Sequence, residues 1–142
     1  MSLLLKRWFR SDRNSGVIRP KVLELYLTRR CNLACPNCLF RLQKDNFFSG
    51  VELAFAKAIR IVDYFFALGI RRIHLQAEGE VLLYEDYWRI VEYCQSLGIT
   101  VLNLITYGLL VGRYIAEILK YHDGITISVD GYDPETYTQR RG

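Results

Sequence analysis

Three cysteines lie close together in the first third of the chain, in the sequence Cys31-Asn-Leu-Ala-Cys35-Pro-Asn-Cys38. They follow an apolar run over residues 22–28 that predicts a β-strand, so they lie on a loop at the carboxyl end of that strand. Thiolates at this spacing can converge on one metal centre. Because there are three thiols rather than four, we expect a [4Fe-4S] cluster in which one iron keeps a coordination position for another ligand.

A structural zinc site is the main alternative for this loop. Structural zinc sites need four ligands, usually supplied by two paired motifs. The fourth cysteine, Cys94, lies on the apolar stripe of a predicted helix and is interpreted as a small buried residue. Neither His74 nor His122 is near the loop in the sequence, and His74 is interpreted as an interior histidine with satisfied hydrogen bonds. These observations favour iron–sulfur chemistry.

Length and composition limit the class of protein. The chain has 142 residues, 51% of them apolar, which is enough for one domain with a sizeable core and argues against disorder. The net charge of +4 is concentrated near the two ends, and no basic stripe alternates with aromatics, so nucleic acid is not an expected partner. No run approaches the ~20 apolar residues of a membrane span, and no signal-peptide core is present. The sequence therefore predicts a cytoplasmic protein, in which clustered cysteines bind metal rather than form disulfides.

Predicted strands and helices alternate along the chain after a polar, basic N-terminal extension over residues 1–20. We expect residues 21–142 to form one domain with parallel strands joined by helical crossovers. The strands are predicted over 22–28, 72–77, 100–106 and 125–130. The helices are predicted from a capping box at Ser49–Glu52 to Gly69, from Asp86 to Gly98, over 111–121, and from Asp133–Pro134 onward. The third helix is expected to bury Ile115, Ile118 and Leu119.

Three of the predicted strands alternate between apolar and polar residues. The apolar positions are Leu23, Leu25 and Leu27 in the first, Ile73, Leu75 and Ala77 in the second, and Ile125, Ile127 and Val129 in the fourth. A doubly wound sheet covered by helices on both faces would be apolar on both. One polar face instead predicts a curved sheet, a partial (β/α) barrel of about four βα units with helices outside and its site at the carboxyl ends of the strands.

Four segments together resemble the N-terminal part of the radical SAM (S-adenosylmethionine) enzyme core, over about residues 20–142. The stretch from Thr28 to Cys38 resembles the cluster loop of that family, and Glu78-Gly79-Glu80-Val81-Leu82-Leu83 resembles its Gly-Gly-Glu-Pro-Leu-Leu segment. Thr106-Tyr107-Gly108 falls where many members have Thr-Asn-Gly. Ile127-Ser128-Val129-Asp130-Gly131, continuing to Arg140-Arg141-Gly142, resembles the fourth-strand Ser-Leu-Asp-Gly … Arg-Gly stretch.

The resemblance implies an oxidoreductase-type iron–sulfur enzyme that reductively cleaves SAM to a 5′-deoxyadenosyl radical for hydrogen abstraction from a substrate. It implies a cluster on Cys31, Cys35 and Cys38, and a SAM site formed by Glu78, Gly79, Glu80, Ser128, Asp130 and Arg141. Within that site we expect Glu80 to bind the SAM ammonium, Ser128 the ribose and Arg141 the carboxylate. A flavodoxin or ferredoxin would supply the electron.

Several positions depart from the family pattern: Asn37 replaces an aromatic residue, Glu78 a glycine, Val81 a proline and Tyr107 an asparagine. These departures keep open a second hypothesis, a non-catalytic iron–sulfur or metal-binding module that no longer uses SAM. The usual barrel of the family has six strands, so we also expect an incomplete catalytic domain that needs a further C-terminal part or a partner chain. Its fourth strand would then present an unpaired edge beside exposed apolar surface.

Overall fold

Parallel strands alternate with helices in the structure, a computed structural model that describes residues 20–42 and 51–141. The strands are β1 (Leu23–Thr28), β2 (Arg72–Ala77), β3 (Thr100–Val101), β4 (Leu104–Thr106) and β5 (Ile125–Ile127). The α-helices are α1 (Leu39–Leu42), α2 (Phe55–Ala67), α3 (Tyr87–Ser96), α4 (Ile115–Tyr121) and α5 (Pro134–Arg141), with 3-10 turns at Val81–Leu83 and Val111–Arg113. The predicted N-terminal extension, except residue 20, and residues 49–50 of the predicted capping box lie outside the described residues.

Every pair of strands in the described part of the chain is parallel, as the alternation of strands and helices predicts. β1 pairs with β2 from Leu23↔Ile73 to Tyr26↔Gln76, and β2 pairs with β3. β4 pairs separately with β5. Within each sheet the carboxyl ends therefore lie on the same side, and the loops that follow β1, β2, β4 and β5 meet around one cavity.

The predicted third strand is interrupted at residues 102 and 103, which is a correction to the single strand expected over 100–106. The carbonyl of Leu102 accepts a hydrogen bond from the His122 ring at 2.8 Å, so it is directed away from the strand ladder. The Asn103 amide donates to the Thr126 hydroxyl at 2.9 Å. These two polar side-chain contacts account for the break between β3 and β4.

The core lies between the apolar faces of β1 and β2 and the helices that follow them. The predicted alternation of β1 and β2 is confirmed, because Leu25, Leu27, Ile73 and Leu75 are all buried. The apolar stripe of α3, on which Cys94 is predicted to be buried, is also confirmed. Its fully buried members are Tyr87, Ile90, Val91 and Cys94, and they pack in one cluster with Ala58 and Val62 of α2. No helix within residues 20–42 and 51–141 is both long and apolar enough to cross a membrane.

The helix predicted from the capping box begins later, at Phe55, so the predicted helical position of Val51 is wrong. The segment before α2 instead extends along the edge of β1. Val51 O accepts from Arg29 N–H at 3.1 Å, and Leu53 N–H donates to Leu27 O at 2.8 Å. The Glu52 carboxylate, expected to cap the helix, accepts from the Thr28 hydroxyl at 3.0 Å. Pairing with β1 thus replaces the first helical turn.

The predicted burial fails on the fourth predicted strand and on the helix before it. That helix is divided into a 3-10 turn and α4, and of its three expected core residues only Ile118 is buried, while Leu119 is 76% exposed. The strand ends at Ile127, and its apolar residues Ile125, Ile127 and Val129 are exposed. Among the described elements, β5 pairs with β4 alone and no helix covers this face.

Candidate cofactor site

The loops that follow β1, β2, β4 and β5 line a cavity of about 330 Å³. The sequence predicts nine residues that hold the cluster or SAM. All nine of them line it: Cys31, Cys35, Cys38, Glu78, Gly79, Glu80, Ser128, Asp130 and Arg141. Asn37, Thr106 and Tyr107 complete much of the remaining wall. The topology thus brings together residues that are up to 110 positions apart in the sequence, from Cys31 to Arg141.

The three loop cysteines are free and half-buried on one wall of this cavity. Burial is the main factor that raises the pKa of the Cys31 thiol, and the nearby groups Cys35, Glu80 and Cys38 raise it further. A thiol must lose its proton to bind a metal, so metal binding here is coupled to proton release. Cys94 is separate from the loop, because it is fully buried in α3 and burial raises its pKa to about 12.

The positions of the three thiols are compatible with a cluster. Within the described part of the chain, no group of three or more His, Cys, Asp or Glu side chains forms a site for one metal ion. In an iron–sulfur cluster each thiolate binds a different iron, so the ligands need not converge on one point. Three thiols on one wall with open space beside them suit a cluster that keeps one iron accessible, whereas a structural zinc site needs a closed set of four ligands.

Gly79 lies where the β2 loop meets the start of the cysteine loop. Glu80 N–H donates to Arg30 O at 2.8 Å and Glu78 N–H to Thr28 O at 3.2 Å, which extends the pairing of β1 and β2 beyond the strands. A Cβ atom at Gly79 would lie 2.1 Å from the Arg30 carbonyl oxygen. That distance is far inside van der Waals contact, so a glycine is required for the two loops to approach this closely.

Glu80 is buried, with only 1% of its surface exposed, and its carboxylate joins the β2 loop to the end of β4. Its Oε1 accepts from Leu82 N–H at 3.2 Å and from the Thr106 hydroxyl at 2.9 Å. Its Oε2 accepts from Tyr107 N–H at 3.0 Å. A carboxylate has about four acceptor sites. Three of these sites are used by internal hydrogen bonds, and the predicted contact with the SAM ammonium would use the fourth.

Residues near the last strand form a polar wall on the other side of the cavity. Asp133 caps α5 through Thr136 N–H at 2.8 Å, as the Asp-Pro pair predicts. At the other end of this helix, the Arg141 guanidinium reaches back to Asp130 at 2.6 Å. Arg141 Nε is buried and has no hydrogen-bond partner within the described residues, so it is a donor without an acceptor. Ser128 is held there by its own N–H, which donates to Thr106 O at 2.9 Å.

A family model described as the radical SAM superfamily matches residues 25–142. The chain belongs to the radical SAM superfamily. Enzymes of this superfamily use a [4Fe-4S] cluster and SAM. The family thus agrees with the chemistry that the cysteine spacing predicts.

Curated relatives in this superfamily match most of the chain. A probable GTP 3′,8-cyclase from Methanothermobacter thermautotrophicus is 31% identical over 116 residues, which cover 81% of this chain and 37% of that protein. A PqqA peptide cyclase from Methylocella silvestris is 37% identical over 93 residues, covering 66% of this chain and 24% of that protein. The chain thus spans 37% of the length of the first of these relatives and 24% of the length of the second.

A solved structure shares the fold. The crystal structure of Streptococcus suis SuiB bound to the precursor peptide SuiA superposes with a TM-score of 0.66 at 23% sequence identity. The match covers 87% of this chain and 27% of that one. At this level of identity the likeness concerns the fold alone, an α/β arrangement of parallel strands and helices.

Two departures from the radical SAM sequence pattern have partners in this structure. Glu78, at a glycine position of the pattern, forms an ion pair with Arg29 at 2.6 Å, which reduces the charge it adds beside the site. Tyr107, at the asparagine position, donates its hydroxyl hydrogen bond to Asn32 in the cysteine loop. Burial, with the Glu80 charge second, raises the pKa of the Tyr107 phenol, so this hydroxyl keeps its proton at neutral pH.

Asn32 does not line the cavity but contacts Tyr107 in its wall, a contact that sequence reasoning did not identify. It lies between Cys31 and Cys35, and like Tyr107 it follows a strand at the edge where the carboxyl ends meet. This shared position is the sequence observation from which the contact could have been predicted. The prediction for His74 needs a correction as well. Its Nδ1 is 2.9 Å from the Gln76 amide, but its Nε2 is buried with no partner among the described residues. Only one of the two ring nitrogens therefore has a hydrogen-bond partner there.

Proposed function

We propose that this chain is the part of a radical SAM enzyme that binds a [4Fe-4S] cluster through Cys31, Cys35 and Cys38 and holds SAM beside it. The observation that carries the proposal is the single cavity onto which the three thiols and the predicted SAM residues open. When bound, the reduced cluster and SAM together supply a 5′-deoxyadenosyl radical that abstracts hydrogen from a substrate. We further propose that residues 21–142 form a domain with the curvature of a partial (β/α) barrel, preceded by an extension over residues 1–20.

In this proposal the β2 loop and the last helix bind opposite ends of the SAM methionine group. The backbone of Glu78, Gly79 and Glu80 faces the ammonium, and the remaining acceptor site of the Glu80 carboxylate adds a charge-assisted hydrogen bond. The buried and unpartnered Arg141 Nε supports a role in binding the SAM carboxylate, since an unsatisfied buried donor costs free energy until an acceptor arrives. Asp130 orients this guanidinium, and Ser128 contacts the ribose.

The electron donor in this proposal is a flavodoxin or a ferredoxin, because the cluster must be reduced before SAM is cleaved. Three free, half-buried thiols persist in a reducing compartment, which supports a cytoplasmic location. The exposed apolar face of β5 is where a further part of the catalytic domain or a partner chain would complete the barrel.

The proposal is tested by anaerobic reconstitution with iron and sulfide, followed by SAM titration. We expect one [4Fe-4S] cluster per chain, lost when any of Cys31, Cys35 or Cys38 is replaced by alanine and retained in the Cys94→Ala control. Glu80→Ala should weaken SAM binding roughly tenfold to a hundredfold, since a charge-assisted hydrogen bond is worth about 1.5–3 kcal/mol. Glu85→Ala, at a more exposed side chain, is its matched control.

Two results would contradict the proposal in different ways. Stoichiometric zinc without cluster absorbance would contradict the cluster. A stable cluster with no SAM binding in the unaltered chain would instead support the non-catalytic iron–sulfur module. Unchanged SAM affinity in Glu80→Ala would remove Glu80 alone from the SAM site.

A further inference from the structure

Three loops that line the cavity are joined in a closed circuit of hydrogen bonds. Glu80, in the β2 loop, accepts from Tyr107 N–H at 3.0 Å. Tyr107, which directly follows β4, donates its hydroxyl to Asn32 Oδ1 in the cysteine loop. The backbone N–H of Glu80 donates to Arg30 O, two residues before Asn32, at 2.8 Å. Each loop is therefore bonded to both of the others.

We propose that Tyr107 is a positioning residue that fixes the cysteine loop relative to the SAM segment. This inference rests on the proposed function of the cavity. Asn32 directly follows Cys31, so the hydrogen bond from Tyr107 restrains the backbone that carries the first thiol. The same tyrosine is bonded through its amide to Glu80, and a shift of either loop must break one of these two bonds.

The tyrosine side chain is suited to this role because it is a stiff spacer. Its ring is buried, with 7% of the residue exposed, and it rotates about only two torsions. Asn32 and Tyr107 are 75 residues apart in the sequence, and Asn32 lies in an exposed part of the loop. A single buried ring thus connects the end of β4 to the cysteine loop.

Groups that orient metal ligands through hydrogen bonds affect both the retention and the electronic properties of the metal. For iron–sulfur clusters the reduction potential depends on hydrogen bonding and solvent access near the sulfurs. Loosening of the cysteine loop should therefore change how fast the cluster loses iron and how it responds to SAM, with little effect on whether it forms.

Tyr107→Phe tests this inference in the full chain, because it removes the hydroxyl and keeps the buried ring. After anaerobic reconstitution we expect an unchanged iron content and iron loss to a chelator that is roughly two- to tenfold faster, as expected for one lost hydrogen bond. We also expect an altered electron paramagnetic resonance spectrum of the reduced cluster on addition of SAM. Tyr84→Phe is the matched control, since it also removes a hydroxyl, which donates to Leu53 O at 2.6 Å away from the cavity.

Asn32→Ala breaks the same hydrogen bond from its other end, at an exposed residue, and gives a second test if Tyr107→Phe folds poorly. We expect both single variants to release iron at the same increased rate and the double variant to release it no faster. Iron release and spectra identical to those of the unaltered chain would overturn the inference, as would equal acceleration in Tyr84→Phe. If the unaltered chain forms no cluster, the proposed function fails and the inference fails with it. A normal cluster with insensitive variants overturns the inference alone.

Discussion

Two regions of the molecule have strands with alternating apolar residues, but these residues are buried in one region and exposed in the other. In the β1–β2 region (β1, β2, α2 and α3) the apolar residues of the strands face the helices, and Leu27 and Ile73 are each 1% exposed. In the β4–β5 region (β4, β5 and α4) the corresponding alternation leaves Ile127 45% exposed. Alternation predicts which residues share a face of a strand. It does not predict whether another element covers that face.

The candidate site extends across both regions. The cysteines and the β2 loop follow strands of the β1–β2 region, whereas Thr106 ends β4, and Tyr107 and Ser128 directly follow β4 and β5. Glu80 joins the two, because its buried carboxylate accepts hydrogen bonds from Thr106 and Tyr107. The cysteine loop and the β2 loop therefore extend from the well-packed region, and the less covered region contacts them through polar groups.

Truncation of matched isoleucines tests this difference most directly and has the largest expected effect. Ile73→Ala should lower the free energy of unfolding by about 3–4 kcal/mol, because it removes a fully buried side chain and leaves a cavity. Ile127→Ala should cost less than about 1 kcal/mol, since much of the side chain already contacts water. Urea unfolding of both variants measures the two values. Equal losses would show that the β5 face is covered and would contradict the comparison.

Gly79→Ala tests the close approach that places the SAM segment against the cysteine loop. The added methyl would collide with the Arg30 backbone, and we expect a loss of about 2–3 kcal/mol in the free energy of unfolding and impaired cluster assembly. Gly112→Ala is the matched control in the β4–β5 half of the chain, because no atom lies within 4 Å of its added Cβ. That variant should stay within about 0.5 kcal/mol of the unaltered chain. Similar stability of both variants in urea would mean that the two loops are not held together at Gly79.

The sequence alone is sufficient to predict what depends on local periodicity. β2 is confirmed at its predicted bounds, and the apolar residues of α3 lie on one face, because a 2-residue or 3.6-residue repeat determines which residues share a face. The nine predicted site residues also share one cavity, since the carboxyl ends of parallel strands meet at one edge. Their individual roles toward a cluster or SAM stay predictions.

Long-range polar contacts account for what the sequence could not reveal. The β3–β4 break depends on His122, 20 residues from the carbonyl that it binds. The late start of α2 depends on the Thr28–Glu52 hydrogen bond across 24 residues, and the Tyr107–Asn32 bond spans 75. No local pattern reports which distant donor an acceptor will find. The exposure of Ile125, Ile127 and Val129 is a related case, because coverage is a property of the assembled fold.

The smallest expected effect concerns His122, which lies at the boundary of the two regions. A carbonyl can only accept, so His122 Nδ1 carries the proton that bonds Leu102 O, and Nε2 accepts from the Tyr87 hydroxyl at 3.1 Å. Burial lowers the pKa of this histidine below its ordinary value of 6.5, while Leu102 and Asp123 oppose the shift and His74 adds to it. The unfolded chain therefore binds more protons at this position than the folded chain as the pH falls below about 6.5.

From this sign, the stabilising contribution of neutral His122 is complete above pH 6.5 and is lost progressively as the pH falls toward its lower folded pKa. Free energies of unfolding measured in urea between pH 7.5 and pH 5 should therefore fall more steeply for the unaltered chain than for His122→Asn. Subtraction of the two curves removes the pH dependence that both proteins share and leaves the contribution of His122. If the difference between the curves were independent of pH, or if it grew as the pH rose, His122 would not be held neutral, and another interaction would have to hold the Leu102 carbonyl at the boundary between β3 and β4.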